Sequence, residues 1–287
     1  MTTDPRAEYD LLHLQWIGPR SLHYADAARR KGRRVVVSIH SLPSLLRGAF
    51  SFPGIIGPAY RTHLRRLVRH VDAVIVPSAP AQEELIPLVG STPIHVVSSG
   101  VDLARFVRDP NRRREFRARY GLDRPTVLSV GQVIPLKGVE DFFRVAQALP
   151  EYQFLWAGPR PSRFFYFSPR FEATLRRRPR NVRFLGYIPE PEAAYNGSDV
   201  YFHPSHGESL GLAVLEAAAV GMPLVVRDLP VYRGWEGIQR GRDVPEFTAA
   251  IRAAIGEGTV ADYPFVAEHS LAAVGKRLVE VYEEVLG

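Results

Sequence analysis

The chain has 287 residues, enough for two domains with cores of their own. Its 37 Lys and Arg against 30 Asp and Glu leave a net charge of +7, which favours anionic partners: nucleoside diphosphates, phosphorylated acceptors or an acidic membrane surface. It contains no cysteine, which excludes disulfides, thiolate catalysis and Cys-based zinc sites, and no apolar run approaches the length of a bilayer span. The start, MTTDPRAEYD, is too polar and acidic to read as a signal peptide. No helix-turn-helix, zinc or RNA-binding signature supports nucleic acid as the anion. The expectation is a cytoplasmic protein, free or peripheral at the inner face of a membrane.

In chain order, residues 11–16 (LLHLQW) read as a short strand and 21–30 as a polar helix. Residues 34–40 (RVVVSIH) form a strand of β-branched residues, followed by a Gly-, Pro- and Phe-rich loop over 41–58. A basic helix is expected from about 59 to 71, then a strand at 72–77, a helix at 79–88 and a strand at 94–98. This alternation is a parallel α/β pattern, whose ligands gather at the carboxyl ends of the strands. His40 ends a strand and so lies on that rim, although a lone His there is more often an ordinary loop residue. The basic helix carries Arg61, Arg65, Arg66 and Arg69, with Leu64, Leu67 and Val68 opposite. It is either a solvated face or an amphipathic surface for anionic lipid headgroups, with Phe50, Phe52 and Ile55 as shallow inserts.

From Arg124 the pattern restarts: a strand at 126–130, the loop GQVIPLKG from Gly131 to Gly138, a helix over 139–149 and a strand at 152–157. A loop that follows a strand and opens a helix is the context of a phosphate loop, but the spacing is not that of a Walker motif, so ATPase chemistry is set aside. Lys137 can meet a diphosphate as a point charge, or be a plain lysine at a helix start. The segment 160–180 carries seven arginines against one acid, with Phe164, Phe165, Tyr166 and Phe167 consecutive. Such a run stacks bases, sits at a membrane interface or covers the core. His203 and His206 share a Pro-containing loop without a third obvious ligand, so no metal is assigned. After Val226, helices are expected over 244–255 and 262–286.

The rest of the chain is organised around residues 201–226, YFHPSHGESLGLAVLEAAAVGMPLVV, which read as strand, loop, helix and strand. Glu208 stands at the mouth of the helix, and the N–H groups of Ser209, Leu210 and Gly211 are expected as unpaired first-turn donors, a ready site for phosphate. Glu216 follows among Leu and Ala, where a carboxylate without a partner is costly. Eight residues of helix rise about 12 Å, so the two carboxylates do not grip one group but can hold two ends of an extended ligand across a phosphate. The bland readings are a first-turn acid that complements the helix dipole and a buried Glu paired to an Arg.

The stretch ESLGLAVLE resembles the donor-site signature of retaining glycosyltransferases of the GT-B architecture, the group 1, family 4-like enzymes. That family includes phosphatidylinositol mannosyltransferases, sucrose synthases and glycolipid glucosyltransferases. The resemblance implies that Glu208 contacts the transferred sugar and Glu216 the ribose hydroxyls, with the N–H groups of Ser209, Leu210, Gly211 and Leu212 facing sugar and diphosphate. GQVIPLKG resembles the family's Gly-Arg…Lys-Gly segment with Gln132 in the Arg position, so leaving-group stabilisation rests more on Lys137. Gly131 and Gly158 are implied as ligand-facing turns, and Tyr187 as lying beside the nucleotide base. VVVSIHS matches a strand that ends in His near the reaction centre, where His40 would orient the sugar or the attacking hydroxyl. The segment from LLRGAFSF to AYRTHLRR looks most like diacylglycerol glucosyltransferases, and IHVVSSGVDLARF resembles the hinge, with Asp102 and Phe106 at the boundary.

The fold implied is α/β: two Rossmann-like domains with parallel sheets facing a cleft, over 1–104 and 105–287, the last helix packing back on the first domain. The first is abbreviated, since the chain begins at what resembles the third strand, roughly 60 residues short at about 30 per βα unit. The function implied is retaining transfer of a hexose from a donor such as UDP- or GDP-hexose to a lipid or polyol hydroxyl, with no metal or other cofactor. The alternative is a non-catalytic or half-enzyme nucleotide-sugar-binding subunit that needs a partner chain.

Overall fold

The computed structural model describes residues 8–162, 168–258 and 260–287. A first parallel sheet contains β1 (Leu11–Leu14), β2 (Arg34–Ser38), β3 (Ala73–Val76) and β4 (Ile94–Val96), in that spatial order. Its crossovers are α1 (Ser21–Arg30), α2 (Pro53–Leu67) and α3 (Ala79–Val89). Successive side chains on a strand point to opposite faces. Val35 and Val37 therefore enter one core with Ala25, Leu64 and Leu85 of the three crossover helices. Val36, Ala73 and Ile75 face the other way.

The second half contains α4 (Pro110–Tyr120), β5 (Thr126–Val130), α5 (Val139–Ala148), β6 (Gln153–Ala157), α6 (Pro169–Arg176), β7 (Val182–Gly186) and α7 (Pro191–Gly197). It continues through β8 (Val200–His203), α8 (Leu212–Ala219), β9 (Leu224–Arg227), β10 (Gln239–Gly241), α9 (Val244–Glu257), α10 (Phe265–Glu268) and α11 (Leu271–Leu286). The strands form one sheet in the order β10-β9-β8-β5-β6-β7, every pair parallel. Both faces are apolar: Leu128 and Tyr201 enter one core, Val127 and Phe202 the other. The strand order reverses between β5 and β8, and open sheets of this kind bind ligands outside the carboxyl ends at such a switch point.

The bare face of the first sheet is covered by α11. Val274, Leu278, Val281 and Val285, spaced as one helix face, pack on Val36, Ala73 and Ile75. The two chain crossings between the halves pair with each other. The Val101 N–H donates to the His269 carbonyl at 2.8 Å and the Leu271 N–H to the Val101 carbonyl at 3.1 Å.

Three boundaries differ from the sequence reading by more than two residues. The basic helix spans Pro53–Leu67 rather than 59–71, because Pro53 sits in the first turn, where no N–H is needed. The final helix is split into α10 and α11: Ser270 caps α11 by accepting from the Ala273 N–H. The helix after Glu208 begins only at Leu212. The aromatic run 164–167 lies outside the described residues. No helix among the described residues is long and apolar enough to cross a membrane.

Candidate active site

Two loops leave the switch point, 131–138 after β5 and 204–211 after β8, and they are locked together. Gly138, at φ +75°, comes so close that a Cβ there would stand 2.2 Å from the Pro204 carbonyl oxygen. The His206 N–H donates to the Leu136 carbonyl at 2.7 Å, and the Ser205 hydroxyl donates to the same oxygen at 3.2 Å. Beyond β6, a Cβ on Gly158, at φ +145°, would lie 1.9 Å from the Gly131 carbonyl oxygen. Only glycine fits either position, through both its backbone angle and its missing side chain.

This packing brings the Lys137 ammonium 2.5 Å from Oε1 of Glu208. His203 Nε2 lies 2.7 Å from the same oxygen, and His203 Nδ1 lies 3.1 Å from the Tyr201 hydroxyl. Burial alone would raise the Glu208 carboxyl, but the Lys137 charge and the hydrogen bonds from His203 and Lys137 hold it at about 2. With Glu208 ionised, the proton belongs on Nε2 of His203, which leaves Nδ1 to accept from Tyr201.

Glu216, further along α8, has a partner, and among the described residues that partner is not an arginine. The Tyr195 hydroxyl donates to its Oε2 at 2.7 Å. Burial raises its pKa, against the Tyr195 hydrogen bond and the charge of Arg105. Arg105 itself bonds Glu192, its Nε donating to Oε2 at 3.0 Å. The two carboxylates of the signature are thus pushed in opposite directions, the pattern that marks groups with different roles.

The turn between Glu208 and α8 corrects the expected first-turn donors. Ser209 and Leu210 precede the helix, and Gly211 at φ +92° is its N-cap, so the first helical N–H groups belong to Leu212 and Ala213. The first sheet reaches this turn directly, since the Ser78 hydroxyl donates to the Ser209 carbonyl at 2.7 Å. The loop after β2 also closes on the site. The Leu136 N–H donates to the Gly48 carbonyl at 3.3 Å, and Leu45 fills the space that a Cβ on Gly207 would need.

Residues 112–235 match the family model of glycosyl transferases group 1, and residues 5–105 that of glycosyltransferase family 4. The chain belongs to the group 1, family 4-like glycosyltransferases. It is 28% identical to the processive diacylglycerol alpha-glucosyltransferase of Acholeplasma laidlawii, over 99% of this chain and 88% of that enzyme. It is 31% identical to D-inositol 3-phosphate glycosyltransferase 1 of Catenulispora acidiphila, over 87% of this chain and 65% of that one. The crystal structure of Anabaena HepE in complex with UDP and glucose matches with a TM-score of 0.79 at 19% identity, covering 96% of this chain and 78% of that chain. Sucrose-phosphate synthase from Thermosynechococcus elongatus matches with a TM-score of 0.77 at 20% identity, covering 96% of this chain and 73% of that one. The architecture of the glycosyltransferase is GT-B, with two Rossmann-like domains.

Of the residues singled out in the sequence, the glycosyltransferase brings Lys137 and Glu208 into direct contact, beside Gly131 and Gly158. Gln132 is exposed on the same loop, and Tyr187 is exposed just beyond β7. His40 stands exposed two residues past β2, and partial desolvation lowers its pKa. Its neighbour His13 is lowered to about 4 by burial and by His40. Arg61, Arg65, Arg66 and Arg69 are exposed, as are Phe52 and Ile55. Phe50, expected with them, is half-buried.

The sequence reading missed His203, Tyr201, Tyr195, Tyr232 and Ser78. His203 ends β8 as His40 follows β2, so the strand-end rule that selected one was available for the other. Tyr232 is wholly buried, and its hydroxyl has no hydrogen-bond partner among the described residues. It lies 2.7 Å from where a Cβ on Gly211 would stand, which is why Gly is needed at that cap. Among the described residues no cluster of three or more His, Asp or Glu could hold a metal ion.

Proposed function

We propose that this glycosyltransferase moves a hexosyl group from a UDP-sugar, with retention of configuration, to the hydroxyl of a diacylglycerol-type lipid at an anionic membrane surface on the cytoplasmic side. The observation that carries the proposal is the contact of Lys137 with the buried, ionised Glu208 at the switch point of the second sheet. In this reading Lys137 turns from Glu208 to the diphosphate and stabilises it as it leaves, and Glu208 accepts hydrogen bonds from the transferred sugar. Glu216 takes the ribose hydroxyls. Gly131, Gln132, Gly158 and the turn from Ser209 to Leu212 line the donor, Tyr187 flanks the base, and His40 orients the sugar or the attacking hydroxyl. The bond from the anomeric carbon to the diphosphate oxygen breaks, and the acceptor oxygen bonds to that carbon on the same face. The acceptor proton goes to the departing phosphate, so the reading assigns no separate general base, and no metal.

The donor base is supported by the Anabaena structure with UDP, and the lipid by the name of the Acholeplasma relative. The membrane surface is supported by α2, where Phe52 and Ile55 are exposed at one end and Arg61, Arg65, Arg66 and Arg69 follow. His63 of α2 hydrogen-bonds the Gly18 carbonyl at 3.0 Å, which holds the loop of Trp16, 75% exposed, against that helix. We place the boundary between acceptor and donor halves at 104/105, where the Asp102 carboxylate accepts from the Ala104 and Arg105 N–H groups. A non-catalytic subunit is not favoured, since both halves match transferase models.

The test is to supply UDP-glucose and phosphatidylglycerol vesicles containing diacylglycerol, then read the anomeric proton of the product. An α-glucosyl diacylglycerol is expected. A β-linked product would overturn retention, and UDP release without a glycolipid would overturn the acceptor.

A further inference from the structure

We infer that His203, oriented by Tyr201, is a positioning residue that holds Glu208 in place for the sugar when Lys137 leaves it for the diphosphate. The inference rests on the donor-site reading above and adds a residue that reading does not use.

Oε1 of Glu208 has two partners of very different freedom. Lys137 reaches it at 2.5 Å from a flexible stem, with its side chain 23% exposed. His203 reaches it at 2.7 Å with its side chain only 3% exposed. Tyr201 and His203 are two residues apart on β8 and so share one face of the sheet. Their rings stack at 5.8 Å between centroids and 18° between planes, and the Tyr201 hydroxyl fixes Nδ1 at 3.1 Å. Behind them, Arg227 Nε donates to the Pro204 carbonyl at 3.0 Å and anchors the backbone where β8 ends. Lys137 is the partner that can move and His203 the partner that cannot.

A carboxylate this deeply buried stays charged only while a donor or a cation faces it. The titratable groups around it are Lys137, His203, Tyr201 and Tyr232. Both tyrosines are pushed well above their usual range by burial and stay neutral. Once Lys137 moves to a phosphate, His203 is the one donor left on that oxygen among the described residues, and it keeps Glu208 ionised and in its rotamer.

Three variants test this: His203→Phe, His203→Gln and Tyr201→Phe, with transfer from UDP-glucose followed across pH and UDP binding measured by calorimetry. His203→Phe is expected to lower kcat about 10- to 100-fold, the loss of one hydrogen bond to a charged group, with UDP affinity little changed. Its acid limb should move up in pH, since Glu208 loses a donor that favours its charged form. His203→Gln, whose amide can still donate, should recover most of the loss without that shift, and Tyr201→Phe should fall between. A His203→Phe enzyme with the parent's kcat and pH profile, or a Gln variant no better than Phe, would overturn the inference. A carboxyl ¹³C titration of Glu208 in the ligand-free protein reads the same clamp without turnover. Glu208 should titrate at higher pH in His203→Phe than in the parent, and an unchanged titration overturns the inference. If the parent itself transfers no sugar, the function proposed above fails, and this titration still decides the role of His203.

Discussion

The hydroxyl of Ser78, at the start of α3 in the first domain, donates to the carbonyl of Ser209, the residue after Glu208, at 2.7 Å. The Ser78 hydroxyl oxygen in turn accepts from the Ala81 N–H at 3.3 Å and so caps α3. One side chain therefore closes a helix of the first domain and steadies the turn beside Glu208 in the second. Ser78→Ala should cost about 1–2 kcal/mol of stability through the lost cap and hydrogen bond. It should lower kcat more than UDP affinity, because the nucleotide contacts are left in place. Urea unfolding and steady-state kinetics check both parts.

Glu208 makes stability depend on acid. Its pKa falls from 4.5 to about 2 on folding, so the stability it contributes is fully present above 4.5 and is lost as pH falls towards 2. The amount is on the order of 3 kcal/mol. Urea unfolding of the parent should weaken more steeply between pH 5 and 2.5 than that of Glu208→Gln. Parallel curves would show that the carboxylate is not held as described.

Glu216 has the opposite sign. Burial raises its pKa, so the stability linked to its protonation is present below 4.5 and lost as pH rises through the higher folded value. Tyr195→Phe removes the donor at 2.7 Å and should raise that carboxyl further. The consequence for function is weaker UDP binding, by about tenfold at neutral pH, for one hydrogen bond to a charged group. Glu216→Ala should lose more. Calorimetry with UDP reads both.

The glycine contacts separate packing from backbone strain. Gly138→Ala and Gly158→Ala each drive a Cβ into a carbonyl oxygen and should displace Lys137 from Glu208, with loss of UDP binding. Gly121→Ala shares the positive φ but meets nothing within 4 Å. It should cost only about 1 kcal/mol of backbone strain and leave binding intact. Thermal unfolding and calorimetry on the three variants distinguish the two causes.

The sequence carried the parallel α/β alternation, because strands buried on both faces read as short β-branched runs such as RVVVSIH. It also brought out Lys137 and Glu208, since a loop between strand and helix at a strand's carboxyl end is a local pattern. It did not bring out α4, whose PNRRREFRARY is polar nearly all round and has no apolar period. That helix is held by tertiary contacts and its ends: Asp109 caps it, Gly121 terminates it, and Arg113 and Arg117 reach Asp199. The late start of α8 was hidden for a similar reason, because the left-handed turn at Gly211 is set by Tyr232, about twenty residues away in sequence. His203 was passed over once a metal had been set aside, because its contact with Glu208 forms only when the loop after β8 folds back on the strand end.

The most direct measurement is UDP release from UDP-glucose in the presence of diacylglycerol vesicles, by the parent and by Glu208→Gln, alongside UDP binding. The expected result is lipid-dependent release by the parent and a loss of about 10²- to 10³-fold in Glu208→Gln with UDP still bound. Release at the parent's rate by Glu208→Gln would place the chemistry away from the Lys137–Glu208 contact and contradict the account.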